Sequence, residues 1–300
     1  MDAVLNIDKP PGPTSFAAVA RIRRLCRVPK AGHAGTLDPL ASGVLLVLLG
    51  QATRIARYLE ALPKEYEAVI RLGVETDTDD LEGAVLSEKV VPALSRDTIE
   101  ETLAVFSGDI EQVPPRYSAL KKDGVPLYKL ARQGRPVDPA PRRVTVHAIE
   151  LLSLGGAELA VRVGCSKGTY VRSLARDIGR ALGCGGALAE LTRTAVGDFR
   201  KDGAAPLDGL DREAAETRGI SMDRALAFLP GIELTGEEAV KAGHGNVIQR
   251  SSGLAQGSAF RLRRQGSLLA VGREAGGVIH PECVFVSKEG LPHADRKTPE

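Results

Sequence analysis

The chain has 300 residues, of which 43% are hydrophobic and 26% are charged, and its formal net charge is +2. This balance is typical of one large or two ordinary globular domains. No apolar run approaches the roughly 20 residues that a membrane span needs, and no signal peptide is visible. We therefore expect a cytoplasmic protein without membrane contact.

Charge is distributed unevenly along the chain although its sum is small. Residues 9–30 contain six basic and no acidic side chains, residues 116–143 contain eight basic and two acidic ones, and residues 67–111 contain twelve acidic and three basic ones. This segregation indicates one basic and one acidic face, and a basic face suits a phosphate backbone. The alternative is that these runs are only solvated surfaces.

The hydrophobic pattern of the first part of the chain predicts short strands and helices. Ser15 or Thr14 can cap the first helix, and the glycines and prolines of residues 30–42 predict a loop. In chain order we predict a strand at 4–7, a rigid turn at 10–13, a helix from 15 to about 26, a loop at 30–42, a buried strand at 44–49, a helix at 52–61, a strand at 66–72 and a helix at 95–106.

The second part begins with a proline-rich basic segment, residues 112–143, which we expect to be mostly loop around one short helix. The further predicted elements are a helix at 127–133, strands at 144–152 and 159–165, a helix at 170–182 ended by Gly183, a helix at 237–242, and short strands within 257–272 and 277–286. Mixed elements without strict βαβ alternation predict an α+β fold. We expect one domain at 1–230, a small β-rich module at 231–287 and a polar tail at 288–300.

The cysteines and histidines lack the spacing of metal sites. No two of the four cysteines form C-x-x-C, and the nearest pair, Cys165 and Cys184, is 19 positions apart. The chain also lacks a P-loop and a dinucleotide-binding fingerprint. We therefore expect reduced thiols, no metal and no cofactor, with a scattered disulfide as the alternative.

The segment at 32–43, GHAGTLDPLASG, contains the strongest candidate for chemistry. Its carboxylate, Asp38, lies in a predicted loop just before a buried strand, and the neighbouring glycines allow the backbone to approach a ligand closely. A free aspartate titrates near pH 4, so Asp38 needs no activation to be ionised. An ordinary Asp-Pro turn is the alternative.

This segment resembles the catalytic motif of the TruB family of tRNA pseudouridine-55 synthases. Other segments resemble further motifs of the same family, in family order, over residues 1 to about 200: DKPPG at 8–12, KEYE at 64–67 with LGVETDTD at 72–79, PPRYSALK at 114–121 with LYKLAR at 127–132, and CSKGTYVRSL at 165–174. The end of the chain resembles a PUA-type RNA-binding module. The resemblance implies a mixed-sheet catalytic domain, an RNA-gripping insertion at about 112–143 and a small C-terminal PUA-like domain.

The resemblance also implies the reaction and the roles of individual residues. A uridine in the T loop of tRNA, at position 55, would be flipped out, detached at its C1′–N1 bond and reattached through C5. Asp38 would be the catalytic carboxylate, held by an ion pair with Arg172, while Tyr66 would stack on the uracil. Tyr170 would form a second wall of the pocket, and His33 would take the space of the extruded base.

The resemblance implies supporting roles for further residues. Lys9 and Pro10 would lie behind the pocket, and Leu191 would form an apolar wall. The candidates for contact with the RNA backbone are basic side chains of the insertion: Lys121, Lys122, Lys129 and Arg132.

Ordinary structural interpretations remain open for three of these residues. Tyr66 could be a packed strand tyrosine, Arg172 a solvated helix arginine and His33 a loop hydrogen-bonding residue. Two positions depart from the family pattern: Leu46 replaces an expected proline, and Thr192 replaces the first of two expected arginines. The first change should affect only strand packing, whereas the second removes a charge near the site.

Two other functions would fit parts of the sequence. A non-catalytic RNA-binding protein would keep the basic segments without needing Asp38 and Arg172. An aspartate-nucleophile hydrolase for a small ligand would not need the basic insertion. We expect tRNA as the partner, no protein partner, and a monomer as the simplest oligomeric state.

Overall fold

The computed structural model describes residues 1–135 and 137–285. The expected tail at 288–300 lies outside the described residues. Within them, strands and helices are mixed without regular alternation, which confirms the predicted α+β class.

The elements are numbered here in chain order. The described strands are β1 (Ala3–Lys9), β2 (Ala31–Ala34), β3 (Ser42–Leu49), β4 (Lys64–Leu72), β5 (Val74–Thr76), β6 (Val85–Glu88), β7 (Gly108–Gln112), β8 (Lys121–Lys122), β9 (Val125–Pro126), β10 (Arg142–Gly155), β11 (Glu158–Cys165), β12 (Gly186–Val196), β13 (Phe199–Arg200), β14 (Ala205–Pro206), β15 (Gly231–Glu233), β16 (Ala259–Arg264), β17 (Ser267–Ala275) and β18 (Val278–Val284). The described α-helices are α1 (Ser15–Leu25), α2 (Ala56–Glu60), α3 (Arg96–Val105), α4 (Leu127–Arg132), α5 (Val171–Ala181), α6 (Arg212–Thr217), α7 (Met222–Ala225) and α8 (Gly236–Gly243).

A large mixed sheet forms the centre of the molecule. Its strands run in the order β14-β1-β3-β12-β4-β11-β10-β7, and β2 pairs with β3 at the side. Strands β3 and β12 are parallel at Ser42–Thr192, whereas β12 and β4 are antiparallel. This arrangement confirms the expected mixed sheet.

The two faces of the sheet bury different clusters because side chains alternate along each strand. Along β3, Leu45 and Val47 pack on the face that carries α1 and α5. Leu46 and Leu48 pack on the opposite face with α2, α7 and part of the C-terminal strands. Leu46, the departure from the family pattern, is therefore a fully buried packing residue, as expected.

The expected loop at 30–42 is wrong in its first part. Residues 31–34 form β2, which pairs with β3 from Ala31–Leu49 to Ala34–Leu46. The glycine at position 32 obscured this strand, because glycine weakens a strand pattern without excluding it. Strand β12 was also not predicted, although it pairs with both β3 and β4 at the centre of the sheet.

Helix ends follow the sequence signals closely. The Thr14 hydroxyl accepts a hydrogen bond from the Ala17 N–H at 3.1 Å, so Thr14 rather than Ser15 caps α1. Gly183 follows the last turn of α5 with φ of +83°, the left-handed conformation that glycine adopts easily.

A separate four-stranded sheet, ordered β15-β16-β17-β18, is formed after residue 230. It contacts the main sheet region through a 3-10 helix, Gly50–Ile55, and through α2. Gln51 donates to the Phe285 carbonyl at 3.0 Å, and Arg57 pairs with Glu282 at 2.7 Å. The sheet is therefore attached to the remainder of the molecule by both packing and polar contacts.

Helix α5 approaches β12 closely because both elements carry glycine at the contact. A Cβ atom at Gly179 would lie 2.3 Å from the Gly185 carbonyl carbon and 2.3 Å from the Gly186 nitrogen. Such an atom could be accommodated only by moving the helix or the strand, since all the crowded atoms are backbone. The contact therefore fixes the height of α5 above the sheet.

We predict that Gly179→Ala lowers the free energy of unfolding by about 1–3 kcal/mol, the usual cost of overpacking. Urea denaturation measures this loss. Gly155→Ala is the matched control, because its Cβ would meet nothing within 4 Å. Equal stability of the two variants would show that α5 is not held at this contact.

Candidate active site

The loop that carries Asp38 connects β2 to β3 and is clamped by the start of α1. The buried Ser15 hydroxyl lies 2.8 Å from the Leu37 nitrogen and 2.9 Å from the Leu37 oxygen, so it can accept from the first and donate to the second. The Gly12 N–H donates to the Pro39 carbonyl at 2.8 Å. Hydrogen bonds thus fix both residues next to Asp38, and they hold the Asp-Pro turn in place.

Arg172 projects from the first turn of α5 and pairs with Asp38. Its Nε atom lies 2.9 Å from Asp38 Oδ2, with the arginine side chain 6% exposed and the aspartate side chain 35% exposed. The Nε N–H does not form a hydrogen bond in this contact, so the interaction is an ion pair. The carboxylate is therefore oriented by a buried cation while part of it remains open to a ligand.

The other nitrogens of Arg172 hold two separate segments. Nη1 donates to the Thr78 carbonyl at 3.0 Å and lies 3.5 Å from Asp80 Oδ2, while Nη2 donates to the Tyr117 carbonyl at 3.1 Å. Arg172 is therefore not a solvated helix residue. It links Asp38 to the β5–β6 connection and to the base of the insertion.

Asp80 was not identified from the sequence as a site residue. Its side chain is buried, and burial raises its pKa, although the Thr78 hydroxyl and the Arg172 charge act in the opposite direction. The Thr78 hydroxyl donates to Asp80 Oδ1 at 2.6 Å. The acidic residues at 77–80 could have indicated that Asp80 belongs to the site, since a buried arginine needs acidic partners.

Tyr66 lies on β4 beneath the same centre. Its side chain is buried in the cluster that also contains Leu37 and Leu191. Burial raises the pKa of the Tyr66 hydroxyl, while the charge of Arg193 lowers it and that of Asp38 raises it. Tyr66 is thus a packed strand residue that shares a buried cluster with Leu37, the residue before Asp38.

Arg193 is the second site residue that the sequence did not reveal. It is 1% exposed and lies beside Tyr66 in the register of β12 and β4. Its guanidinium donates to the carbonyls of Val44 at 2.7 Å, Thr36 at 3.3 Å and Gly35 at 3.0 Å. Arg193 therefore ties the Asp38 loop to β3 from beneath.

Two buried lysines accompany Arg193. Burial and the Arg193 charge lower the pKa of Lys9 to about 8, although Asp38 opposes the shift. Burial and Arg193 also lower the pKa of Lys64 to about 8. Lys9 Nζ donates to the carbonyls of Pro10 at 2.8 Å and Pro13 at 3.0 Å. Lys9 Nζ also lies 3.5 Å from the carbonyl oxygen of Pro39, so Lys9 contacts the Asp38 loop.

The remaining pocket candidates are His33 and Tyr170. His33 is half-buried on β2, and burial together with the charge of Arg193 lowers its pKa. Its Nδ1 has no hydrogen-bond partner among the described residues. Tyr170 caps α5, exchanges hydrogen bonds with the Gln112 side chain, and its ring lies 4.7 Å from the Arg142 guanidinium carbon.

The basic candidates of the insertion include three lysines whose positions the structure describes. Lys121, Lys122 and Lys129 are exposed on β8 and α4. The Arg132 side chain lies outside what the structure describes. At Thr192, the other departure from the family pattern, the hydroxyl lies 2.9 Å from that of Ser42, across the parallel β3–β12 contact.

Within residues 1–135 and 137–285, no cluster of three or more metal-ligating side chains is present. No helix of this part of the chain is long and apolar enough to cross a membrane. The candidate site is a partly exposed carboxylate oriented by one buried arginine.

Two models of known protein families match adjoining parts of the chain. The family model of the TruB family pseudouridylate synthase N-terminal domain matches residues 23–171, and that of the tRNA pseudouridylate synthase B C-terminal domain matches residues 172–227. The chain belongs to the TruB family of pseudouridylate synthases. It is an isomerase, which makes the interpretations as a non-catalytic RNA-binding protein and as a hydrolase wrong.

Several relatives match nearly the whole chain. A protein of Aromatoleum aromaticum named tRNA pseudouridine synthase B is 47% identical over 286 residues, which cover 94% of this chain and 92% of the relative. A protein of the same name from Dechloromonas aromatica is 46% identical over 286 residues, which cover 94% and 95%. A third, from Chromohalobacter salexigens, is 45% identical over 295 residues, which cover 97% and 94%.

Solved structures of similar fold include chains from two complexes. A chain from an H/ACA ribonucleoprotein bound to a substrate RNA containing 2′-deoxyuridine is 28% identical, with a TM-score of 0.75 and coverage of 97% of this chain and 87% of that one. A chain from a Cbf5-Nop10-Gar1 complex is 29% identical, with a TM-score of 0.76 and the same coverage. The mixed-sheet pseudouridine synthase fold expected from the sequence is confirmed.

We predict that Arg193→Met destabilises the protein by at least about 3 kcal/mol, because three carbonyls lose their donor and each buried unsatisfied group costs about 1–3 kcal/mol. Urea denaturation measures the loss. Arg200→Met, which removes a half-exposed arginine from the adjacent β13, should cost less than about 1 kcal/mol. Similar losses in both variants would contradict the clamping role of Arg193.

Proposed function

We propose that this pseudouridine synthase converts the uridine at position 55 in the T loop of tRNA, with Asp38 as its catalytic carboxylate. The observation that supports this most directly is the Asp38–Arg172 ion pair at 2.9 Å, in which the carboxylate stays partly open. The names of the bacterial relatives support tRNA as the substrate. A carboxylate fixed in direction by a buried arginine is ready to meet a substrate without rearrangement.

The reaction is an isomerisation in which atoms and electrons balance within the nucleotide. Asp38 enables cleavage of the C1′–N1 bond, either by attack on C1′ or by addition to the uracil ring. The detached uracil rotates and C5 bonds to C1′, after which C5 loses its proton and N1 gains one. No electron or group is imported, so the protein needs only to position the base and stabilise the separated fragments.

The target base must leave its stack before it can rotate, which costs a few kcal/mol. The Tyr66 ring provides stacking that returns about 1–3 kcal/mol per base. Tyr170 and Leu191 form further walls, and His33 takes the place of the extruded base. Lys9 and Pro10 support the loop from behind, consistent with the hydrogen bond between Lys9 Nζ and the Pro10 carbonyl.

The insertion at about 112–143 grips the RNA backbone through Lys121, Lys122, Lys129 and Arg132. Support comes from the exposure of the three lysines and from the excess of basic over acidic residues in the segment. The C-terminal sheet, within residues 231–287, acts as a PUA-like RNA-binding module that reaches the tRNA outside the T stem-loop. The catalytic domain comprises residues 1–230.

The protein acts as a monomer in the cytoplasm without an obligatory protein partner. All proposed site residues belong to one chain, and no second copy is needed to complete the centre. The four cysteines are free and buried, which fits a reducing compartment.

We predict that Asp38→Asn abolishes pseudouridine formation while tRNA affinity changes by less than about tenfold, or roughly 1.4 kcal/mol. The amide keeps the size of the side chain but can neither attack nor carry charge. Single-turnover assays at saturating enzyme and filter binding measure the two effects. Asp202→Asn, at an exposed position, is the control and should behave as wild type. Turnover of Asp38→Asn close to that of the control would remove Asp38 from the reaction.

A further inference from the structure

Helix α1 has a polar surface that the proposed reaction does not use. Four exposed cations follow one another at its end and just beyond it, at Arg23, Arg24, Arg27 and Lys30. Within the described part of the chain none of the four forms an ion pair. The nearby acidic groups are already engaged, since Asp208 pairs with Arg21 and Glu216 pairs with Arg212. The surface therefore presents uncompensated positive charge.

The same helix surface carries an exposed aromatic ring at its other end. Phe16 is 78% exposed, so its ring is available to stack on a ligand. Phe16 and Arg23 are seven residues apart, about two helical turns, and so lie on one side of α1. We call the surface formed by Phe16, Arg23, Arg27 and Lys30 the α1 track.

One end of the α1 track adjoins the catalytic loop. Phe16 follows Ser15, whose hydroxyl bonds to Leu37, the residue before Asp38. Helix α1 also shares its face of the central sheet with α5, which carries Arg172. Eleven helical residues span roughly 16 Å, so the basic end lies about that far from the Asp38 loop.

The other end of the α1 track adjoins the C-terminal sheet. The Lys30 carbonyl accepts from the Gly50 N–H at 2.9 Å, and the next residue, Gln51, donates to the Phe285 carbonyl. The α1 track thus leads from the catalytic loop to the place where the C-terminal sheet is attached.

Arg27 occupies a backbone position that arginine rarely adopts. Its φ is +52°, and the hydrogen bonds from Val28 N to Arg23 O and from Arg27 N to Arg24 O form the helix-ending motif that usually has glycine here. A side chain kept where glycine fits better indicates that the side chain itself has a use.

We propose that the α1 track is a second RNA-binding surface, which holds the substrate strand between the flipped uridine and the part bound by the C-terminal sheet. This rests on the proposed function. Phe16 stacks on a base close to the flipped nucleotide, and the three cations of the track neutralise successive phosphates. An aromatic platform followed by a basic path is the combination that binds single-stranded nucleic acid.

The test is tRNA binding by full-length Arg23→Gln/Arg27→Gly across a salt series. Two lost phosphate contacts should weaken binding by roughly tenfold at low salt and reduce the log–log salt slope by about 1.4 to 1.8. Because glycine fits position 27, the thermal midpoint should not fall, which separates lost binding from lost folding. Lys89→Gln/Arg224→Gln removes two exposed, unpaired charges elsewhere and should leave the slope unchanged.

A second variant, Phe16→Ala, tests the stacking platform separately. It should weaken tRNA binding by about tenfold with no change in salt slope, because it removes a ring and no charge. Salt slopes and affinities of both test variants equal to those of the control would overturn the proposal. Wild-type protein that binds tRNA but forms no pseudouridine would instead contradict the proposed function, so the two failures are distinguishable.

Discussion

A buried guanidinium must be surrounded by acceptors, and this constraint on Arg172 organises the whole site. Its side chain is 6% exposed and contacts Asp38, Asp80 and the carbonyls of Thr78 and Tyr117. These groups come from three separate parts of the chain: the Asp38 loop, the β5–β6 connection and the base of the insertion. An arginine without them would carry an unpaired charge in the interior, which costs several kcal/mol. The segments therefore assemble around Arg172, and the Asp38 carboxylate takes its direction from the same cation.

Further hydrogen bonds hold the Asp38 loop in place. Ser15 fixes it from the start of α1, and Arg193 binds the Gly35 and Thr36 carbonyls from beneath. Asp38 is the more exposed member of its ion pair with Arg172. The hydrogen bonds that hold the loop go to the backbone of neighbouring residues and leave the Asp38 side chain free of them. The base of the insertion reaches the centre through the Tyr117 carbonyl, so a segment proposed to grip RNA is physically joined to the arginine that orients Asp38.

Much of the fold and of the candidate site could be predicted from the sequence, and the features that were missed have physical causes. The resemblance of short motifs to the TruB family selected Asp38, Tyr66 and Arg172 as candidates, whereas composition and spacing alone favoured ordinary structural roles for them. Periodicity located most helices and the buried strand β3. Strand β12 and Arg193 were missed because their importance comes from pairing with distant strands: Arg193 lies in an ordinary strand sequence, and only the fold places it under the Asp38 loop.

The most direct test of this account is tritium release from tRNA labelled at C5 of uridine by the Arg172→Lys variant. Lysine keeps the charge but cannot reach several fixed acceptors with a planar fork, so Asp38 would lose its orientation. The account predicts a folded protein that binds tRNA and releases tritium at least about a hundredfold more slowly than wild type, the cost expected of a displaced catalytic group. Release at the wild-type rate would show that Arg172 does not position the catalytic carboxylate.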